Sequence, residues 1–399
     1  MTQPTQLTHL EHIEDLIITD GIEGCKTAVD ILEKVAFKNK SVSIKTKVDG
    51  APSVIAGIDP LTKRFFIGTK SLFNKTPKIN FSLADIDRNH GHATGLSRKL
   101  KLGLMYFPLT IKDGIYQGDF MFDFDDLAFN EDRTEVSFKP NTIEYRVSDK
   151  KMLEEIENSR IGVIWHTKYT CDCPSNLKES SKYLKVEFGG DVSKIKKDPA
   201  VWTASTDFVD NYSASKMNRL QIMMFAEGLK TIKDVTSILL PCTDEIFTRD
   251  SKISELAMIF INARIRKGQE FINKEETLYE FLSFISNKYQ KRIDKLSTDK
   301  SKQKLQDEFD SIKKDILLKE NWRQTIMVVF EIHSWLQSLK DTVISHLEKA
   351  SKNDSLKNYI EGEVTGPEGY VVITKNNQAF KFVNRMKFSK ANFNIEKGW

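Results

Sequence analysis

The sequence predicts an α+β protein in which a core of antiparallel sheets with flanking helices is interrupted by a large all-helical insertion. Three observations predict this. Between residues 41 and 205, short runs combine β-branched or aromatic residues with polar alternation. From 206 to 357 the apolar residues recur at helical spacing instead. Strand texture then returns from 358 to 399, so a sheet that begins early is finished late. The expected divisions are an N-terminal helical segment of the core (1–40), the first part of the core (41–205), the helical insertion (206–357) and the final core strands (358–399).

Within 1–40, HLEHIEDLII is followed by TAVDILEKVAF, where Val29, Leu32 and Val35 fall on one helical face. The segments SVSIKTKV, RFFIGTK, GIYQGDFMF, TIEYRV, IGVIWHTKYT and KYLKVEF each read as a strand. Leu278, Phe281, Leu282, Ile285 and Tyr289 form one helical stripe; Trp322, Ile326, Val329, Phe330, Leu336 and Val343 form another. The charged stretch KLSTDKSKQKLQDEFDSIKKD between them belongs on the surface. In GYVVITKNNQAFKFVNR the Asn376–Asn377 pair marks a tight hairpin. No internal repeat or low-complexity linker is present.

An apolar fraction of 40% with 29% charged residues describes a chain able to bury a core. No apolar run approaches the roughly 20 residues of a membrane span, so no membrane partner is expected. The N-terminus MTQPTQLTHLEHIED lacks a basic start followed by an apolar segment. Four scattered cysteines (Cys25, Cys171, Cys173, Cys242) make no disulfide framework. The expectation is a cytoplasmic protein with reduced thiols. A net charge of +4 selects no partner, although SRKLKLG (97–103) and SKIKKD (193–198) are candidate phosphate contacts.

Four segments could converge on one site. KVDG brings Lys47 and Asp49, which point the same way because side chains alternate along a strand, with Gly50 and Pro52 ending it. A lysine becomes a nucleophile only when desolvation or nearby positive charge lowers its pKa. YQGDFMF supplies Asp119, GPEGYVV supplies Glu368, and AFKFVNRMKF supplies Lys381, Arg385 and Lys387. A carboxylate trio of Asp49, Asp119 and Glu368 with several cations suits a magnesium nucleotide, the acids managing the metal and the cations the phosphates.

With these segments in this order, the chain resembles the covalent nucleotidyltransferase superfamily of polynucleotide ligases and messenger RNA capping enzymes. The resemblance covers 41–205 and 358–399, and leaves the helical block unexplained. Its first motif, KxDG, matches Lys47-Val48-Asp49-Gly50. The resemblance implies that Lys47 attacks the nucleotide α-phosphorus and that Lys70, in GTKSLFNK, contacts ribose or nucleic-acid phosphates. It implies that Tyr145 stacks on the base and that Lys381 meets the phosphates. The GE motif is Gly118-Asp119 here, one methylene shorter, and EG with apolar residues matches Glu368 to Val372. A second lysine usual after Lys381 is replaced by Val383, with Arg385 or Lys387 as substitutes.

Only a dozen or so residues follow FKFVNR, too few for the oligonucleotide-binding barrel of DNA ligases and capping enzymes. The pattern looks most like phage-type ATP-dependent RNA ligases, which places it in the bacterial host cytoplasm if the chain is phage-encoded. The implied reaction uses ATP and Mg2+, with Mn2+ as a substitute. It proceeds through a lysyl-AMP and joins 5′-phosphate to 3′-hydroxyl ends, of RNA rather than DNA. The alternatives are a GTP-using guanylyltransferase and a ligase-fold nucleic-acid-binding protein without turnover. His90 and His92 lack a third ligand, the Cys171–Cys173 spacing lacks a second pair, and His333 lies in an apolar stripe as a core histidine.

Overall fold

The computed structural model describes residues 10–37, 41–171, 184–188, 190–207, 219–238, 242–269, 274–350 and 356–389. It is α+β. A four-stranded sheet contains β1 (Glu11–His12), β2 (Val42–Lys47), β15 (Gly369–Thr374) and β16 (Ala379–Phe382), in the order β1-β16-β15-β2. The pairs are antiparallel except β1 with β16, which is parallel. The first and last parts of the chain thus share one sheet, as the returning strand texture predicts. At the β15–β16 turn Asn377 takes φ +59°, and its N–H donates to the Thr374 carbonyl at 3.0 Å, making the expected hairpin.

A seven-stranded sheet holds β3 (Ser53–Ile58), β4 (Phe65–Gly68), β5 (Ile79–Asn80), β6 (Ile115–Asp123), β10 (Ile161–Cys171) and β11 (Leu184–Phe188), with β12 (Val201–Trp202) beside β10. The third sheet contains β7 (Ala128–Phe129), β8 (Val136–Phe138), β9 (Glu144–Val147), β13 (Lys357–Ile360) and β14 (Glu363–Thr365).

The helices are α1 (Leu16–Thr19), α2 (Gly21–Ala36), α3 (Leu83–His90), α4 (Thr94–Thr110) and α5 (Lys150–Asn158), then α6 (Arg219–Ile238), α7 (Thr243–Ile246), α8 (Lys252–Lys267), α9 (Lys274–Ile293), α10 (Asp299–Leu318) and α11 (Glu320–Ala350). α3, α4 and α5 fall where strand texture dominates the sequence. The Ser82 hydroxyl caps α3 by accepting from the Asp85 N–H at 3.2 Å, and α4 carries Pro108 inside it. α4 buries Leu100 and Phe107 against Val54, Tyr116, Phe120 and Trp165 of the seven-stranded sheet, covering one face of it.

Strand alternation decides what the small sheet does. Tyr370, Val372, Phe380 and Phe382 join the largest apolar core, with Val42 and Ile44 packed against it. That core also takes in Leu16, Val29, Leu32 and Val35 of α1 and α2 and both predicted helical stripes. The helical block and the N-terminal helices therefore share one core with the back of this sheet. An amphipathic helix needs an apolar partner, and here that partner is partly the sheet itself. α10 keeps only Leu305 and Ile316 buried, as its charge density predicts. The opposite face of the small sheet is left for polar work.

Candidate active site

That opposite face carries Lys45, Lys47, Val371, Ile373 and Lys381. Register explains their grouping, since Val371 lies opposite both Lys45 and Lys381, and Lys47 lies opposite Gly369. Facing them across a cavity of about 200 Å³ are Ser53, Gln117, Asp119, Ile164, His166, Thr167, Val186 and Phe188 of the seven-stranded sheet, with Lys70 from the turn after β4. Two glycines let the walls approach. A Cβ on Gly50 would meet the Asp119 Cβ at 2.7 Å, and one on Gly369 would meet the Phe382 carbonyl oxygen at 2.3 Å. The Asn377 amide bridges from the hairpin to the edge strand β11: its Oδ1 accepts from the Phe188 N–H at 2.7 Å and its Nδ2 donates to the Val186 carbonyl at 2.8 Å.

Lys47 donates to the Glu368 carboxylate. Burial lowers the Lys47 pKa, but Glu368, then Asp119 and Asp49, outweigh it, and the amine is held above its ordinary value. Burial pushes the Glu368 carboxyl up, against the pull of Lys47. Lys381 behaves differently: burial and the neighbouring Lys47 charge bring it down to about 8, with Glu368 only partly opposing. Asp119 is raised by burial and lowered more by His166 and Lys47, so its carboxyl lies below the ordinary range. The His166 Nε2 is 3.4 Å from the Asp119 carboxylate.

The structure brings together Lys47, Lys70, Asp119, Glu368 and Lys381. It does not bring in the other four candidates. β2 ends at Lys47, so alternation does not extend to Asp49. The buried Asp49 carboxylate accepts from the Asn141 Nδ2 at 2.7 Å and from the Thr142 and Ile143 backbone N–H groups at 2.7 and 2.9 Å. Three of its roughly four acceptor sites are thereby used inside the protein, which makes it an internal anchor. Tyr145 stacks on Phe138 inside the core, and its hydroxyl accepts from the Asp49 N–H at 2.8 Å, so it supports the loop from below and offers no face to a base.

Arg385 is 2% exposed and donates to Asp15 and Asn262 at 2.8 and 2.7 Å, away from the cavity. Lys387 is exposed on the following π-helical turn, its Nζ 5.1 Å above the Phe388 ring. Among the described residues no group of three His, Cys, Asp or Glu side chains is placed to hold a metal ion, so the predicted acidic trio is not assembled as such. Asp119 and Glu368 remain as two hard-oxygen donors beside the lysines, which suits a magnesium ion that keeps most of its waters and leans on substrate phosphates.

Of the basic clusters, 97–103 is committed within the chain. Arg98 and Lys99 pair with Asp123 and Asp126, and Lys101 pairs with Asp87. In 193–198, Lys194, Lys196 and Lys197 are exposed. Cys25 and Cys242 are buried free thiols, whereas Cys171 is disulfide-bonded, against the expectation of reduced thiols; Cys173 lies outside the described residues. His333 is a core histidine as expected, its Nε2 2.9 Å from Asp15.

Sequence reasoning missed Lys45, Ser53, Gln117, His166 and Phe188. A signal existed for one of them. A histidine inside the apolar run IGVIWHTKYT is out of place in a buried strand, and the β10–β6 register slips between Trp165 and Thr167, making His166 the extra residue of a bulge. Among the described residues no helix is long and apolar enough to cross a membrane. No curated protein matches the chain. No solved structure matches it either. A family model does match, over residues 7–397, and by that match the chain belongs to a family of unknown function, DUF6267.

Proposed function

We propose that the protein is an ATP-dependent polynucleotide ligase of the covalent nucleotidyltransferase type, with RNA ends as its substrate. One observation carries the reading. Lys47, Lys70, Asp119, Glu368 and Lys381, spread over more than 300 residues of sequence, line or border a single cavity. Cations gathered against two carboxylates are what a magnesium nucleotide requires.

In this reading the Lys47 Nζ attacks the α-phosphorus of ATP. The new bond is Nζ–P, the bond to the bridging oxygen breaks, and pyrophosphate leaves with the electron pair. Lys47 first passes one proton to the Glu368 carboxylate that already accepts its hydrogen bond, which frees the Nζ lone pair, and a second proton leaves to the departing pyrophosphate as the Nζ–P bond forms. Lys381 and Lys70 meet the phosphates, and among the described residues Lys381 has no ion-pair partner to displace. A magnesium ion near Asp119 and Glu368 would supply charge neutralisation of the phosphates and would lower the pKa of the neighbouring amine. AMP then passes to a 5′-phosphate end and a 3′-hydroxyl displaces it.

The non-catalytic reading is favoured by one observation, the Glu368 contact that keeps Lys47 charged. Purified protein incubated with Mg2+ and ATP labelled on the α-phosphate separates the two. The expected result is label retained through denaturing electrophoresis and lost in Lys47→Ala. Labelling by GTP alone would mean a guanylyltransferase, and no labelling with either, Mn2+ included, would leave a binding protein. RNA and DNA oligonucleotides with 5′-phosphates then identify the acceptor.

A further inference from the structure

The cavity has a polar fixture that phosphate chemistry does not use. Gln117 sits two residues before Asp119 on β6, on the same face, and is only 8% exposed. Its Oε1 accepts from the Tyr169 hydroxyl at 2.7 Å, and its Nε2 donates to the Ser53 hydroxyl at 3.1 Å. The direction of this chain is set at its Ser53 end. The Ser53 hydroxyl donates to the Gly118 carbonyl at 3.3 Å, which makes it an acceptor toward Gln117. Burial raises the Tyr169 phenol, so it remains a protonated donor. The amide is thereby held with its oxygen toward Tyr169 and its nitrogen toward Ser53.

A primary amide has two donor and two acceptor positions. Among the described residues one of each is used, leaving one N–H and one carbonyl lone pair in a residue that lines the cavity. Beside the polar Thr167 and the lysines, the lining includes apolar side chains, Val186 and Phe188 on β11 and Ile373 opposite. A planar ring between those side chains would present its edge to the amide. A glutamine amide pairs bidentately with adenine, accepting from N6–H and donating to N7; guanine offers two acceptors at the same edge, O6 and N7, and leaves the glutamine oxygen facing one of them.

We propose that Gln117 reads the base of the bound nucleotide and selects adenine over guanine, with Tyr169 and Ser53 as positioning residues that set the direction of its amide. This rests on the nucleotide-binding reading above and adds to it the residue that decides which nucleotide binds.

The test measures binding, not turnover. Full-length protein is titrated with ATP and GTP in the presence of EDTA, by calorimetry or by displacement of a fluorescent nucleotide, for wild type, Gln117→Met and Tyr169→Phe. Thermal melts check that each variant folds. Wild type should favour ATP, and folded Gln117→Met should lose about 10- to 100-fold of that preference, the range expected of one bidentate amide–base pair. Tyr169→Phe should lose part of it, with affinity for the triphosphate itself little changed. If Gln117→Met does not fold, the Tyr169→Phe result decides. Equal binding of ATP and GTP by wild type, or a preference unchanged in the folded variants, would overturn the assignment while leaving nucleotide binding intact. Absence of binding by either nucleotide would overturn this inference together with the nucleotide-binding reading.

Discussion

Two charged clusters lie on either side of the strand that carries Lys381, and they use similar residue types for different ends. On the cavity side, Lys45, Lys47, Lys70 and Lys381 share space with Asp119, and Lys47 pairs with Glu368. On the other, Lys340 and Glu14 are both fully buried and 2.5 Å apart, Arg385 and His333 both reach Asp15, and Arg385 also reaches Asn262. The buried cluster ties the N-terminal segment, α8, α11 and the last turn of the described chain to one another. Its charges are matched and enclosed. The cavity holds more lysines than carboxylates and opens to solvent. A matched cluster specifies a fold; an unmatched one has capacity left for an anion.

The largest effects on stability should therefore come from the enclosed cluster. Lys340→Met leaves the buried Glu14 carboxylate with only the more distant Arg385 guanidinium, 3.7 Å away, and should cost about 3 kcal/mol of unfolding free energy. The double variant Lys340→Met with Glu14→Leu should recover most of that. Urea denaturation of the three proteins measures both. Equal loss in single and double variants would mean that packing, not charge, holds α11 to the N-terminal segment.

Next in size is a pH effect. Burial raises the Asp15 carboxyl, but Arg385 and His333 lower it further, and its folded pKa lies well below that of the unfolded chain. The sign follows from linkage. The contribution is complete above the unfolded value near 4 and is lost as pH falls from there toward the folded value. Melting temperature should drop steeply on acidification below about pH 4, and Asp15→Asn should lower stability at pH 7 while flattening that acid limb. An unchanged acid limb in Asp15→Asn would assign acid sensitivity to other carboxylates.

How much of this was legible follows the same division. Alternation in SVSIKTK and in AFKF separates a lysine-bearing face from an apolar one, so this cavity wall could be read from residue order, and Lys47 and Lys381 with it, whereas Glu368 precedes its strand and was legible only from its motif. Asp49 could not, because the strand ends two residues before it, and the Asn141–Ile143 N–H groups that claim it are about 90 residues away. Arg385 was misread for a similar reason. Its partner Asp15 is 370 positions distant, and nothing local distinguishes a cation aimed at phosphate from one buried against an acid. α4 was missed because its basic, mixed surface gives a weak helical stripe, and it is the sheet beneath that gives it an apolar partner.

The cavity charges should show the opposite behaviour to the enclosed ones, with small or favourable effects on stability. Lys47→Met removes the partner of Glu368, but burial already favours the protonated form of that acid, so the orphaned carboxyl can take up a proton and the cost should stay below that of Lys340→Met. Labelling by ATP should nevertheless vanish. Lys381 goes further. Its folded pKa of about 8 lies below the unfolded lysine value, so its charge opposes folding at neutral pH. The penalty is full below about pH 8 and disappears as pH rises toward 10. Lys381→Met should therefore melt slightly above wild type at pH 7, with the advantage vanishing near pH 10. Saturating ATP should reverse the order at pH 7, because the phosphates supply the anion that Lys381 lacks in the free protein. A Lys381→Met protein less stable than wild type without nucleotide would place this lysine with the structural charges and remove the contrast on which the cavity assignment depends.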